Sequence, residues 1–283
     1  MRPHVEMIHE QDYVWHPAEL PGGVGEAVEK RLSVDEEDGS SSLLLEFVTD
    51  FSRPAGVPEA DTEFFVLSGS MTYGDRVMGE WEYLHVPAGV PMAEMRVAAG
   101  TRLLHWREYG TSRFTVGGAR TPQARGEVTL TDPREVEWRS TLEFVAGPLS
   151  PLYIKMLHHD PETGFYTRLI KAPVGWSEPR MLHHPVYEEF YTLAGRTASL
   201  HGDAGVGTYT FRPSHIKHGH FETLEETIWI IRCDGALENL HTVDSWIDWG
   251  GTAVNYDPAT QGPRPSTLPL RSRSAGAWDA RLA

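Results

Sequence analysis

An internal repeat at an offset of about 126 residues constrains the fold of this chain more than any other feature. The segment EFFVLSG at 63–69 recurs as EFYTLAG at 189–195, and a proline stands 18 residues beyond each closing glycine, at Pro87 and Pro213. Solenoid repeats span only about 20 to 50 residues, so each copy is predicted to form a whole domain. We therefore expect two homologous domains in the 283 residues.

Short apolar runs predict an all-β fold. They are rich in β-branched and aromatic residues and lie at 42–48, 63–67, 165–170, 189–193 and 227–231. Glycine and proline interrupt them about every ten residues, a spacing typical of a sandwich, barrel or jelly roll. Helical periodicity is weak, and the best candidates for short helices lie at 25–34 and 133–136.

Changes in composition along the chain predict four segments. They are a first barrel at 1–120, a connecting segment at 121–150, a second barrel at 151–250 and a proline-rich arm at 251–283. Trp246 and Trp249 precede the arm and Trp278 lies within it. Because tryptophan buries a large area, we expect parts of this region to dock on a barrel or on a second subunit. Since sheets must also cover their edges, a homodimer is predicted.

Charge and cysteine content limit the partners and the compartment. The chain has 25 basic and 40 acidic residues, a net charge of -15 that disfavours binding to nucleic acid and to anionic membranes. No secretory leader and no membrane-spanning apolar run are apparent, which predicts a cytoplasmic protein. Cys233 is the single cysteine, so no internal disulfide is expected, and its position in an apolar run predicts a buried residue.

The chemistry-bearing residues are concentrated in the second copy, which holds nine of the 14 histidines. Three potential metal ligands there have no ligand-type counterpart in the first copy, the aligned pairs being His184 with Pro58, Glu188 with Thr62, and His218 with Met92. Imidazole nitrogens with one carboxylate suit Fe(II), Mn(II), Ni(II), Cu(II) or Zn(II). The sequence predicts one divalent metal ion, held by the second copy alone.

At these positions the chain resembles the cupin superfamily. The first cupin motif is matched by His184, Glu188 and Gly195, and the second by Gly207, Pro213 and His218. Leu182 replaces the first histidine of the first motif, so a fourth ligand would have to come from His183 through a bulge or from His220 through strand alternation. The resemblance extends over 25–110 and 150–236, and the segment HHPVYEE at 183–189 is similar to two-barrel cupins with a His-His-x-x-Tyr-Glu-Glu signature.

The resemblance implies two tandem cupin jelly-roll barrels, the first degenerate, and a metal-dependent enzyme acting on a small molecule. A mononuclear non-haem dioxygenase is favoured, with Fe(II) and a small carbonyl or phenolic substrate. The alternatives are a metal-dependent isomerase or lyase and a non-enzymatic ligand-binding or sensor module. Glu189, His220 and Tyr187 are candidates for moving a proton, and Arg168 is a candidate for holding a substrate carboxylate.

Overall fold

The computed structural model of the protein describes residues 2–143 and 151–246. These residues form β-strands and turns, with three short 3-10 helices at Glu10–Asp12, Pro133–Glu135 and Thr141–Glu143 and no α-helix within the described ranges. None of the described segments is a helix long and apolar enough to cross a bilayer. The predicted all-β class with few short helices is confirmed.

The chain divides into two compact units. The first unit comprises Arg2 and Tyr13–Glu135, and the second comprises Pro3–Asp12 with the described residues from Val136 onward. The predicted segments divide the chain differently, because 3–12 belong to the second unit, 121–135 to the first, and the described part of 136–150 to the second. The cause is strand pairing over long sequence distances, which composition does not reveal. The predicted arm at 251–283, which includes Trp278, lies outside the described residues, and so does Trp249 before it.

The strands are numbered in chain order. Strand β1 (Val5–His9) belongs to the second unit. The first unit contains β2 (His16–Pro17), β3 (Ala27–Val34), β4 (Ser41–Phe47), β5 (Phe51–Arg53), β6 (Gly56–Pro58), β7 (Asp61–Ser68), β8 (Met71–Tyr73), β9 (Arg76–Met78), β10 (Tyr83–Val86), β11 (Met95–Val97), β12 (Arg102–Glu108), β13 (Phe114–Val116) and β14 (Thr129–Thr131). The second unit continues with β15 (Arg139–Ser140), β16 (Tyr153–His159), β17 (Tyr166–Ala172), β18 (Ser177–His183), β19 (Glu188–Ala194), β20 (Arg196–Ser199), β21 (Gly202–Gly205), β22 (Thr208–Arg212), β23 (His218–Thr223), β24 (Thr227–Cys233) and β25 (Leu240–Trp246).

Each unit has one seven-stranded sheet, and the two sheets share a strand order except at one edge, where β14 is the last strand of its sheet in the chain and β1 is the first of its own. It runs β14-β10-β7-β12-β4-β3-β2 in the first unit and β1-β22-β19-β24-β17-β16-β15 in the second. The aligned strands β7 and β19 are flanked in both sheets by aligned neighbours, β10 and β12 in one and β22 and β24 in the other. The sequence repeat therefore corresponds to a repeat of topology.

A second sheet completes each unit and encloses its core. It is four-stranded in the first unit, β5-β11-β8-β9, and five-stranded in the second, β21-β20-β23-β18-β25. The first core combines Leu45 and Phe64 of the large sheet with Met95 of the small one. The second combines Phe190 and Trp229 with Ala204 and packs against the half-buried Phe221. Alternate residues of each strand face these cores, as the period of a β-strand requires.

The two short helices predicted from the sequence have different outcomes. Residues 25–34 are not helical: Ala27–Val34 is strand β3, which pairs with β4 and buries Leu32. A shift in the β3–β4 register between Arg31 and Ser33 interrupts the alternation of buried and exposed residues. The sequence of this segment therefore lacks the regular pattern that predicts a strand. The prediction at 133–136 is confirmed as the 3-10 turn Pro133–Glu135.

Candidate metal centre

Three buried side chains of the second unit converge on one point. One ligand atom from each of His184, Glu188 and His218 lies within 4.8 Å of the other two. Glu188 opens β19 and His218 opens β23, while His184 follows the end of β18. The structure thus brings the three aligned residues together from two different sheets.

The hydrogen bonds of the two imidazoles fix which nitrogen faces this point. His184 Nδ1 lies 2.9 Å from the backbone oxygen of Glu238, and His218 Nδ1 lies 2.9 Å from that of Ile216. A carbonyl oxygen only accepts hydrogen bonds, so each Nδ1 carries the ring proton and each Nε2 presents a lone pair. The two Nε2 atoms lie 3.8 Å and 3.5 Å from the Glu188 carboxylate oxygens. Two lone pairs and a carboxylate that face one another are the donor set of a cation site.

The charge states of Glu188 and His218 agree with that donor set. Burial raises the pKa of the Glu188 carboxyl, but His184, His218 and Arg212 together outweigh it and lower the pKa to about 2. Burial, reinforced by Arg212, lowers the pKa of His218 to about 3. At neutral pH Glu188 is therefore ionised and His218 is neutral, the forms in which both residues bind metals.

A fully buried arginine supports the carboxylate. Arg212 on β22 lies opposite Glu188 in the ladder, and its Nη1 donates to Glu188 Oε2 at 2.6 Å. Its other side pairs with Glu6 on β1, where Nε donates to Glu6 Oε2 at 2.9 Å. His4 lies 3.0 Å from the same Glu6 oxygen. A buried chain of alternating charges thus runs from the metal centre to the first strand of the polypeptide.

Three residues of β17 and β24, here called the wall, are Tyr166, Arg168 and Cys233. The charge of Glu188 acts on the pKa of Tyr166 and of Cys233, which places these two near the centre. Tyr166 and Cys233 face each other across β17 and β24, and the Tyr166 hydroxyl donates to Cys233 Sγ at 3.0 Å. Burial raises the pKa of both groups, so both stay protonated at neutral pH. Cys233 is buried, as expected from the sequence.

Arg168 points to the interior of the second unit. It lies between Tyr166 and Ile170 on β17, both of which belong to the core, and alternate residues of a strand share a face. Its guanidinium carbon lies 4.4 Å from the Tyr166 ring centre, and its buried Nε has no hydrogen-bond partner in the described part of the chain. Ile231 is its neighbour on β24. The interior therefore holds a cation without a carboxylate partner among those residues.

Glu189 does not join the group. Adjacent residues of a strand face opposite sides, so Glu189 points away from Glu188. Its carboxylate accepts hydrogen bonds from Tyr209 at 2.9 Å and from Arg232 at 2.6 Å. In the first unit the aligned pair Tyr83 and Glu63 makes the same hydrogen bond. The contact is thus common to both copies, including the copy without ligands.

A backbone irregularity keeps His220 out of the group. Gly219 and His220 have φ angles of 152° and 56°, and the register of β18 with β23 shifts at this point. The shift breaks strand alternation, so the residue that shares a face with His218 is Phe221, whose ring centre lies 6.0 Å from that of His218. His220 itself is fully buried.

The other two predicted residues lie beside the centre. His183 Nδ1 lies 3.2 Å from Nδ1 of His215 at an exposed position. The Tyr187 ring centre lies 5.3 Å from that of Phe211, with the rings tilted by 42°, and Phe211 faces the opposite side of β22 from Arg212. Neither belongs to the three-residue group, so within the described residues no fourth protein ligand accompanies His184, Glu188 and His218.

Sequence reasoning missed Arg212, Glu6 and Tyr166. The sequence did contain a signal for Arg212: the residue directly precedes Pro213 of the second motif, and the aligned residue in the first copy is the apolar Val86. The sequence contained no signal for Glu6, because this residue contacts Arg212 from a strand 206 positions away along the chain. In the first unit, Thr62 and Met92 leave no metal-ligand group among the described residues.

Comparison with solved structures supports a cupin-type fold. Over 81% of this chain and 82% of its own, a putative dioxygenase from Nostoc punctiforme aligns at 20% identity with a TM-score of 0.72. Protein Ylba from E. coli aligns at 13% identity over 81% and 89%, with a TM-score of 0.57. A Bacillus subtilis oxalate decarboxylase mutant aligns at 14% identity over 83% and 79%, with a TM-score of 0.52.

At these sequence identities the comparisons show a similar fold and nothing further. The placement among two-barrel cupins with the His-His-x-x-Tyr-Glu-Glu signature stays a prediction. No curated protein matches the sequence. One family does match, over residues 6–240, and its description is Domain of unknown function (DUF4437). This range covers both units and all three residues of the candidate metal centre. The chain belongs to the DUF4437 family.

Proposed function

We propose that this protein is a metal-dependent enzyme whose second unit binds one divalent ion through His184, Glu188 and His218. The observation that carries the proposal is the orientation of the imidazoles: both Nδ1 atoms donate to backbone carbonyls, which leaves both Nε2 lone pairs directed at an ionised carboxylate. Without a cation, this arrangement would place three acceptors against one another. Three protein ligands also leave coordination positions for water or substrate, as in catalytic rather than structural metal sites.

The reaction we favour is oxygenation of a small carbonyl or phenolic compound. A bound Fe(II) ion would supply a coordination site for substrate oxygens and an electron source for dioxygen. The neighbour from Nostoc punctiforme, whose name points to the dioxygenases, is consistent with this class. Fe(II) also suits a site of two imidazoles and one carboxylate with open positions.

The residues of the wall would bind and orient the substrate. Arg168 presents an unpaired Nε to the interior and is placed to hold a substrate carboxylate. The Tyr166 hydroxyl and Cys233 thiol stay protonated, so they add no negative charge to repel an anionic substrate. Arg212 holds one oxygen of Glu188 and thereby fixes the direction of the carboxylate.

The identity of the metal separates oxygenation from the alternative reactions. We would purify the protein without added metals and measure its metal content, and then follow dioxygen uptake with small 2-oxo acids and catechols as substrates. Close to one iron per chain with substrate-dependent uptake is the expected result. A redox-silent metal without uptake would contradict oxygenation and favour the isomerase or lyase alternative.

The enzyme proposal has its own test in Arg168→Met. This variant should keep its metal but require a higher concentration of any carboxylate substrate, because Arg168 lies on the wall and not in the ligand group. Loss of metal in Arg168→Met would contradict the role given to this residue. A metal-loaded wild-type protein that turned over no member of either substrate class would favour a binding module.

A further inference from the structure

The first unit has a pocket where the second has its metal centre. Pro58 and Thr62, which align with His184 and Glu188, both line it. Other parts of its wall are apolar, with Leu20, Pro21 and Phe114. Including its opening to solvent, the cavity has a volume of about 310 Å³. The first unit thus has a cavity at the position that aligns with the metal centre.

A buried arginine lines this pocket. Arg53 is only 6% exposed, and its guanidinium carbon lies 4.4 Å from the centre of the Phe114 ring. One nitrogen, Nη2, lies 3.3 Å from the Met92 sulfur, a weak acceptor, at the position that aligns with His218. The buried Nε has no hydrogen-bond partner, and no carboxylate pairs with Arg53 in the part of the chain that the structure describes.

An isolated charge in this position is costly. Burial lowers the pKa of Arg53 to about 10, so the guanidinium is still protonated at neutral pH. Transfer of an unpaired cation from water to a protein interior is strongly unfavourable, and native proteins pair such charges. The counter-charge for Arg53 is not supplied by the described residues, which leaves a bound anion as its source.

Each of the other two arginines that line the pocket has a charged or hydroxyl partner. Arg113 pairs with Glu59 at 2.6 Å. Arg107 donates to Ser41; burial lowers the pKa of Arg107, and the nearby Glu29 and Glu19 offset this effect only in part. His105 also lines the pocket, and burial, followed by the charge of Arg107, lowers its pKa to about 3, so it is neutral. Arg53 is therefore the arginine of this pocket that has neither a carboxylate partner nor a hydrogen-bonded hydroxyl among the described residues.

We propose that the first unit binds a small organic monocarboxylate in this pocket, with the carboxylate on Arg53 and the apolar end against Phe114 and Pro58. A guanidinium matches a carboxylate in shape and charge. A single guanidinium without a carboxylate partner matches a monoanion, and the apolar walls disfavour strongly hydrated phosphate or sulfate. The first unit thus keeps a ligand site in which an arginine takes the place of the metal ion. This site is separate from the enzyme proposed above and does not depend on it.

Met92 provides a local reporter for a binding test. Its sulfur contacts Arg53, so its methyl resonance in the full-length, [¹³C-methyl]methionine-labelled protein should respond to a ligand on the guanidinium. Met92→Leu identifies that resonance. We would titrate propionate, its neutral isostere propionamide, and inorganic phosphate. The expected result is a saturable shift of the Met92 signal with propionate, and at least a tenfold weaker response to the other two compounds.

Two variants separate the charge of Arg53 from its packing. Arg53→Met should fold and weaken propionate binding at least tenfold, and Arg53→Lys, which keeps a charge without the planar fork, should be intermediate. The control is Arg96→Met, because Arg96 is an exposed arginine on β11 that pairs with Glu94. It should bind propionate like the wild type. The spectra show whether each variant is folded.

Three outcomes would overturn the proposal. The first is a Met92 signal that propionate does not move. The second is equal binding of propionamide, which would make the pocket merely apolar, and the third is tighter binding of phosphate than of propionate. Because Met92 reports on the first unit only, propionate bound at the metal centre would not be mistaken for binding here.

Discussion

Arg212 lies directly across the ladder from Glu188, and its Nη1 donates to Glu188 Oε2 at 2.6 Å. In the first unit the aligned residues Val86 and Thr62 lie across from each other in the same way. The ion pair therefore occurs in the copy with the metal ligands and is replaced by an apolar residue and a hydroxyl in the other. Oε2 also lies 3.5 Å from His218 Nε2, whereas Oε1 lies 3.8 Å from His184 Nε2.

Arg212→Met should destabilise the second unit strongly. The substitution leaves Glu188 and Glu6 buried without their cation, and loss of one partner of a buried ion pair costs about 3 to 5 kcal/mol. Urea denaturation of the metal-free protein would measure the change in the free energy of unfolding. The double variant Arg212→Met with Glu6→Gln should recover part of the loss, since it removes one of the two stranded charges. A loss below about 1 kcal/mol would show that the pair is solvated.

His218→Ala should abolish metal binding. It removes one of three ligands and the lone pair fixed by the carbonyl of Ile216, and metal sites weaken steeply when a ligand is lost. Elemental analysis after dialysis would measure the occupancy. His159→Ala is the matched control, because His159 is exposed on β16 and should not affect the metal. Full metal content in His218→Ala would disprove the ligand assignment.

The stability of the metal-free protein should fall on acidification, in part because of His105. Its pKa is lowered to about 3 by burial, whereas an unfolded histidine titrates near about 6.5. Between these values the unfolded chain binds a proton that the folded chain does not. The stability is therefore complete above about pH 6.5 and decreases as the pH falls toward 3, by up to about 1.4 kcal/mol per pH unit.

Replacing His105 by Gln isolates that contribution. Between about pH 7.5 and pH 5, the wild type should lose about 2 kcal/mol more stability than His105→Gln. Other titrating groups are common to both proteins and cancel in this difference. Urea denaturation at the two pH values, with a chelator present, would measure it. Equal losses in the two proteins would mean that His105 titrates normally in the folded state.

Much of the fold could be predicted from the sequence, because the same pattern of short apolar segments, glycines and prolines occurs in both copies. The register of that repeat placed His184, Glu188 and His218 at corresponding positions, and the structure brings their ligand atoms together. Features that depend on pairing across long distances left no local signal. Strand β1 joins the second unit through β22, and Glu6 reaches Arg212 only through that pairing.

Local irregularities were also hidden in the sequence. Strand alternation predicted that His220 would face the same side as His218, but the bulge at Gly219 changes the direction of the side chain. The burial of Arg53 could not be inferred either, because charged residues are usually exposed and its aligned partner in the second copy is Pro179. The predicted homodimer depends on residues outside the described ranges and stays a prediction.

Gly219→Ala should disturb the metal centre through the backbone. Gly219 has a φ of 152°, and a Cβ atom there would lie 2.2 Å from the backbone oxygen of Arg180, too close for any contact. Since His218 is the preceding residue, relief of this clash must move a ligand, and metal occupancy should fall together with stability.

Gly202 provides the matched control: it has a φ of 108° but open space around its Cβ position. Gly202→Ala should therefore cost only its backbone strain, about 1 to 2 kcal/mol, and keep the metal. Elemental analysis and thermal denaturation of both variants would test the difference, and equal metal loss in the two would refute a specific role for Gly219.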